Sequence, residues 1–204
     1  MSILASNYQT FTIQSESREK VNIEGKITSF TYYESIFLPY VSGKVNIVDT
    51  DGGVSYSSDI DRQERSGTIF NAYGIKGGEE VKFKIANTSG ELDFTNKPMV
   101  VKKSTNVKKE SNRDVMSLDL TSQFYLKDKN SAIAESFDMR YSDMVKKILS
   151  DNSIKFESEN VEDSSNSGNY IGNSKKISDA IIDLAKKAKP GKGSPGFFFY
   201  ENQE

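Results

Sequence analysis

Between residues 8 and 126 the apolar side chains fall on every second position, and that period decides what the front of this chain can fold into. Val81, Phe83 and Ile85 alternate with Glu80, Lys82 and Lys84; Val41, Gly43, Val45 and Ile47 alternate with Ser42, Lys44 and Asn46; Met116, Leu118 and Leu120 alternate with Ser117, Asp119 and Thr121. Successive side chains of a strand point to opposite faces, so the pattern calls for a sheet with one dry and one wet face. Strands are expected near residues 8 to 14, 20 to 37, 41 to 49, 68 to 75, 80 to 87, 91 to 104 and 113 to 126. Gly, Asp and Asn separate most of them, at spacings typical of sandwiches and barrels.

The longest of these runs, KVNIEGKITSFTYYESIF, changes face. Val21, Ile23, Gly25 and Ile27 share odd parity, whereas the apolar series resumes on even parity at Phe30, Tyr32 and Ile36. A period of two cannot switch sides without an extra residue, so a bulge or sharp coil is expected near Thr28 and Ser29. Such kinks let a long strand curve into a barrel.

After residue 126 the period becomes 3.6. Tyr141, Met144, Val145, Ile148 and Leu149 form one stripe, with Ser142 as the expected N-cap. A second stripe runs through Ile177, Ile181, Leu184, Ala185 and Ala188, with Ser174 as its expected N-cap. Lys186, Lys187 and Lys189 lie near the negative end of that helix's dipole, and Pro190-Gly191 stops it. The intervening FESENVEDSSNSGNYIGN is polar and acidic and reads as an exposed loop. The chain then closes on Phe197, Phe198, Phe199 and Tyr200, an incipient strand with no sequence-adjacent partner. These patterns predict an α+β protein: an antiparallel β-barrel over residues 1–126, then a partial α+β domain over 127–204. The sheet of that second domain is expected to continue on later residues or on another chain.

Composition removes whole classes of chemistry. There is no Cys and no His, so neither a disulfide framework nor a Ser-His-Asp triad can form, and the common zinc shells are lost with them. Any catalysis would fall to carboxylates, Lys or Tyr. A net charge of −2 lacks the basic footprint expected of a nucleic-acid binder. The first residues, MSILASNYQTF, have neither a basic region nor a long apolar run, so no signal peptide is read there. No run of about 18 apolar residues occurs to cross a membrane. The Asn87-Thr88-Ser89 sequon therefore carries little weight.

The remaining motifs favour structural readings. Asp49-Thr50-Asp51-Gly52-Gly53 lacks the further ligands and distal Glu of a calcium loop and reads as a turn. Gly191-Lys192-Gly193-Ser194 follows a helix C-terminus, where the dipole has the wrong sign for phosphate. Glu79 and Glu80 point to opposite faces of a strand and cannot converge on one bond, and Asp59 with Asp61 reads as acidic loop decoration. The lysine pairs at 102 and 103, 108 and 109, 146 and 147, and 175 and 176 are spread along the chain and balanced by acids, as on solvated faces. No catalytic residue, cofactor or metal ligand is assigned.

One stretch stands apart. Tyr32, Tyr33, Ile36, Phe37, Leu38, Pro39 and Tyr40 place large apolar groups on both faces of a strand and across a proline-marked turn. A surface hairpin keeps one side polar; apolar groups on both sides fit either a fully internal strand or one covered by a neighbouring subunit.

The run Tyr33-Glu34-Ser35-Ile36-Phe37-Leu38-Pro39-Tyr40-Val41-Ser42-Gly43, followed by Val45-Asn46-Ile47-Val48-Asp49, resembles the hairpin near the start of baseplate hub subunits of contractile-tailed bacteriophages. That tail-tube-like barrel family is related to the N-terminal domains of type VI secretion spikes. Gly77-Gly78-Glu79-Glu80-Val81 is similar to the family's turn into its next strand, and Tyr141 to Leu149 to its first helix. Ile181 to Ala188 and Gly196 to Asn202 resemble its second helix and the strand after it. The resemblance implies a tail-tube-like barrel within a homotrimer whose chains each carry two barrels, a pseudo-sixfold ring joining the tail tube to the central spike. It implies as partners the tail tube protein, the spike protein, other baseplate proteins and the tape-measure protein. DNA would pass through the lumen without specific binding, and this chain would not enter a membrane. The setting is the virion, in the tail baseplate, after assembly in the host cytoplasm. Family members run well beyond 204 residues, so the second barrel is expected from further polypeptide. The expected inter-subunit contacts are Glu34, Phe37, Pro39, Tyr40, Phe198 and Tyr200.

Two rival readings differ in what they require. A carbohydrate- or receptor-binding β module predicts a monomer with exposed aromatics and affinity for glycans. A carboxylate-based cell-wall hydrolase predicts activity lost on changing one Glu or Asp.

Overall fold

The computed structural model describes residues 7–14, 20–50, 54–57, 64–67, 74–87, 90–110, 113–191 and 196–203; for 54–57, 64–67 and 106–110 it describes the backbone alone. The strands are β1 (Asn7–Gln14), β2 (Val21–Asn22), β3 (Ile27–Tyr33), β4 (Ser42–Thr50), β5 (Val54–Ser57), β6 (Glu64–Gly67), β7 (Glu80–Asn87), β8 (Gly90–Asp93), β9 (Met99–Glu110), β10 (Arg113–Thr121), β11 (Ser136–Arg140) and β12 (Ser167–Ile171). The helices are α1 (Gln123–Asn130), α2 (Tyr141–Asp151) and α3 (Ile177–Lys187).

Two units share these elements. The first comprises Met1–Tyr33, Val41–Gln123 and Gln203–Glu204; the second comprises Glu34–Tyr40 and Phe124–Asn202. The boundary expected after residue 126 thus falls inside α1, and the second unit also takes in the segment between β3 and β4.

In the first unit one antiparallel sheet runs β2-β1-β7-β9-β10-β4-β3, with β8 also paired to β7. It curls as a half-barrel around Phe11, Val45, Ile47, Val81, Phe83, Met116 and Leu118, all fully buried. The expected antiparallel barrel is present as this curled half-barrel; among the described residues no ladder joins β3 back to β2. At the centre Phe83 stacks on Phe11 and Phe94, with ring centroids at 5.1 and 4.8 Å, while Phe30 meets Phe83 edge-on at 4.9 Å.

The parity switch has the expected cause. The register of β3 on β4 slips between Ile27 and Ser29, and the extra residue lets odd-numbered Ile27 and even-numbered Phe30 and Tyr32 pack on the same core. Ahead of it, a short 3-10 turn at Glu24–Lys26 divides β2 from β3, so the run expected from 20 to 37 is two strands.

Other expectations are revised. The strand drawn to residue 126 stops at Thr121, and Gln123–Asn130 turns helical, burying Phe124 and Asp128. Of the strand placed at 68 to 75 only Gly74 and Ile75 are described, and neither lies in a strand. β5 and β6 pair in a separate hairpin that alternation did not reveal.

In the second unit α2 and α3 pack on the β11–β12 ribbon. Met144, Ile148 and Leu149 of α2 and Ile177, Ala180, Ile181 and Leu184 of α3 are buried with Phe137 and Tyr170 of the two strands. These are the predicted helical stripes. β12 lies within the stretch read as loop: Ser167–Ile171 pairs with Ser136–Arg140 along its whole length, although its only buried side chain is Tyr170.

Neither predicted N-cap serves its helix. The α2 N-terminus is satisfied by Ser164, whose Oγ accepts from the Ser142 N–H at 3.1 Å, and the α3 N-terminus by Asp128. Ser174 instead holds a left-handed turn at φ 57°. The strand expected at Phe197–Tyr200 is also corrected: Gly196–Gln203 has no regular secondary structure, and an extended segment without a ladder partner does not qualify as a strand.

Candidate functional site

The segment Glu34–Tyr40 is shaped by its own residues before anything packs on it. The Leu38 N–H donates to the Ser35 carbonyl at 3.0 Å, closing a turn over Ser35–Leu38, and the Ser35 hydroxyl accepts from the Phe37 N–H at 3.3 Å. Ile36, Phe37 and Leu38 occupy the tip of that turn, and all three are exposed, Phe37 by 74%. Large apolar groups at a turn tip lose no contacts when a partner covers them and remove apolar surface from water when it does.

Within the same unit Phe198 stands beside this tip. Its ring meets that of Phe37 edge-on at a centroid distance of 5.8 Å, while 57% of Phe198 and 44% of Tyr200 remain exposed. Phe199, on the alternate face, turns inward against Phe124 at 5.7 Å. Phe37 and Phe198, 161 positions apart in the chain, therefore meet as one exposed aromatic pair.

Tyr40 does the opposite of Phe37. Its ring packs on Phe124 and Tyr125 at 5.4 and 5.3 Å, and its hydroxyl donates to Asp128 and lies 3.0 Å from the Ser178 hydroxyl. Asp128 is fully buried, and it also accepts from the Ser178 N–H at 2.7 Å and from the Ser178 hydroxyl at 3.1 Å. The positive N-terminal end of α3 thus faces the buried carboxylate and offsets its charge. Burial, reinforced by that carboxylate, pushes the Tyr40 hydroxyl above the ordinary phenol range.

Of the six expected contact residues, the structure brings together Phe37 and Phe198 on the second unit's surface, and Tyr200 is exposed. Glu34 is exposed, Pro39 is half-buried, and Tyr40 anchors the turn from beneath. Asp128 and Ser178 escaped sequence reasoning. The former lies just past the strand expected to end at residue 126, and nothing local distinguishes a capping Asp whose partner, Ser178, comes 50 residues later.

The motifs set aside earlier have structural places. Buried Glu79 accepts from the Lys76 N–H at 2.8 Å and the Gly77 N–H at 3.0 Å, holding the turn into β7. Asp49, also buried, accepts from Lys26 at 2.6 Å, whereas Asp51, Gly52, Gly53, Asp59, Asp61 and Lys192–Ser194 lie outside the described residues. Lys146, Lys147 and Lys175 pair with Asp163, Asp151 and Asp183. Among the described residues no three His, Cys, Asp or Glu gather as a metal cluster, and no helix is long and apolar enough to cross a membrane.

Compared with known proteins, the chain matches no family model and no curated sequence. Its fold is similar to the crystal structure of the 43 kDa tail protein of prophage MuSo2 from Shewanella oneidensis, with a TM-score of 0.53 and 10% identity over 88% of this chain and 49% of that one. The crystal structure of the tail protein from Neisseria meningitidis MC58 also matches, at a TM-score of 0.47 and 12% identity over 88% of this chain and 45% of that one. This chain accordingly spans about half the length of each. The half-barrel followed by an α+β unit is thus a fold shared with a prophage tail protein.

Proposed function

We infer that this chain is a structural subunit of a phage tail, positioned in the baseplate hub, where three copies contribute to a pseudo-sixfold ring between the tail tube and the central spike. The observation that carries this reading is the fold shared with the MuSo2 tail protein across 88% of the chain. The ordered motifs around Tyr33 to Asp49, Tyr141 to Leu149 and Gly196 to Asn202 point the same way.

The work of such a subunit is geometric. One end of the ring must match a sixfold tube and the other a threefold spike, while the lumen stays open to passing DNA. An incomplete half-barrel and an apolar patch at Phe37 and Phe198 suit a part that is finished by neighbours. The chain spans 49% of the MuSo2 protein's length, and on this reading the second barrel of each ring position comes from further polypeptide.

Electron microscopy of tail particles carrying an epitope label on this chain tests the placement. Three labels at the junction of tube and spike are expected. Label along the sheath, on the capsid or absent from the particle would overturn the assignment.

A further inference from the structure

Two consecutive residues of this chain lie in different cores. Tyr40 packs with the core of the second unit, its ring on Phe124 and Tyr125 and its hydroxyl on Asp128 and Ser178. Val41 is 1% exposed in the core of the first unit, and its carbonyl accepts from the Ser122 N–H at 3.3 Å. One peptide holds the two Cα atoms about 3.8 Å apart, so neither residue can leave its seat without pulling on the other.

That peptide leads straight into a strand. β4 begins at Ser42, opposite Tyr33 of β3 and Thr121 of β10, and the connection between β3 and β4 is Glu34–Tyr40, a part of the second unit. The first unit's β3–β4 hairpin thus has its loop ordered by the other unit. A loop already held has lost its conformational freedom before its strands meet, which lowers the entropy their pairing must overcome. A loop set free restores that cost. The ladder of β1 on β7, from Asn7 opposite Ala86 to Gln14 opposite Glu80, contains no residue next to this segment and gains nothing from it.

We propose that Glu34–Tyr40 is a coupling device: the second unit's hold on Tyr40 sets how firmly β3 stays paired to β4, so that loosening the second unit opens this hairpin and leaves β1 on β7. Such linkage is reciprocal. Whatever covers Ile36–Leu38 and steadies the segment therefore also steadies β3 on β4. The coupling goes beyond the structural role proposed above and requires no particular place in a tail particle.

Native-state hydrogen exchange of the full chain, read amide by amide by NMR, tests it. Ile181→Val trims a buried side chain of α3 and is expected to speed exchange about fivefold in α2, α3 and the β3–β4 ladder, while the β1–β7 ladder stays within about twofold of wild type. Leu184→Ala, at a second buried position of α3, should act in the same sense and more strongly. The decisive sample carries flexible Gly-Ser spacers after Tyr33 and after Tyr40, with a single spacer after Tyr40 as the milder form. In that background Ile181→Val is expected to speed exchange in α2 and α3 alone. A β3–β4 ladder that ignores Ile181→Val in the parent chain overturns the proposal. Equal acceleration of β1–β7 also overturns it, since the chain then opens as one body. So does a response that survives the spacers, which would move the coupling to the other crossing, between Gln123 and Phe124.

Discussion

The hydroxyl of Tyr40 donates to the carboxylate of Asp128, a fully buried residue 88 positions later in the chain. Through it the exposed tip at Ile36–Leu38 is tied to the first turn of α3, since the same carboxylate accepts from the Ser178 N–H. The exposed tip and the half-buried anchor of the segment are separated by Pro39 alone.

Removing that carboxylate leaves several donors without an acceptor inside the second unit. Asp128→Ala is expected to cost about 3 kcal/mol and Tyr40→Phe about 1 kcal/mol. Urea unfolding followed by far-ultraviolet circular dichroism checks both. Equal losses from the two substitutions would show that Asp128 serves Tyr40 alone and not α3.

The pH dependence of this contact has a definite sign. A phenol whose pKa is raised on folding holds its proton more tightly in the folded than in the unfolded chain. The stability it confers is therefore complete below the ordinary phenol value of about 10 and lost as the pH rises towards the folded value. The gap in stability between wild type and Tyr40→Phe should narrow on going from about pH 9 to about pH 11. A gap that widens over that range would contradict the assignment.

Gly172 is a position where no side chain fits. A Cβ there would overlap the carbonyl of Ile133, which is backbone and cannot swing away, at the point where Ile133 bridges to Lys175. Gly172→Ala should destabilise the second unit by about 1–3 kcal/mol. A melting temperature equal to wild type would show that the backbone relaxes freely there.

The aromatic centre of the first unit depends on Phe83, whose ring contacts Phe11, Phe30 and Phe94. Phe83→Ala removes all three contacts and should cost about 3–5 kcal/mol. Denaturant titration reads this as a lower midpoint with an unchanged slope.

Phe37 and Phe198 should behave differently from any of these. Because both are exposed, Phe37→Ser is expected to change stability by no more than about 0.5 kcal/mol. On the proposed function it should nevertheless prevent incorporation into tail particles, as measured by the fraction of labelled chain that sediments with them. Normal incorporation would remove Phe37 from the interface.

Much of this architecture was written in local spacing. The alternation through β4, β7 and β10, the switch of parity at Thr28 and Ser29, and the two helical stripes each follow from which side chains seek burial at a fixed period, a property of neighbouring residues. The composition also settled that neither cysteine nor histidine chemistry is open to this chain. Tertiary structure decided what depends on residues far apart. Ser164 and Asp128, not Ser142 and Ser174, satisfy the helix N-termini; the polar Ser167–Ile171 becomes a strand because β11 offers it a ladder; Glu34–Tyr40 joins the second unit; and the strands of the first unit take the order β2-β1-β7-β9-β10-β4-β3. A hydrogen-bond donor does not specify which acceptor satisfies it, and a strand edge does not specify its neighbour. Those choices exist only once the chain has brought distant residues within about 3 Å of one another.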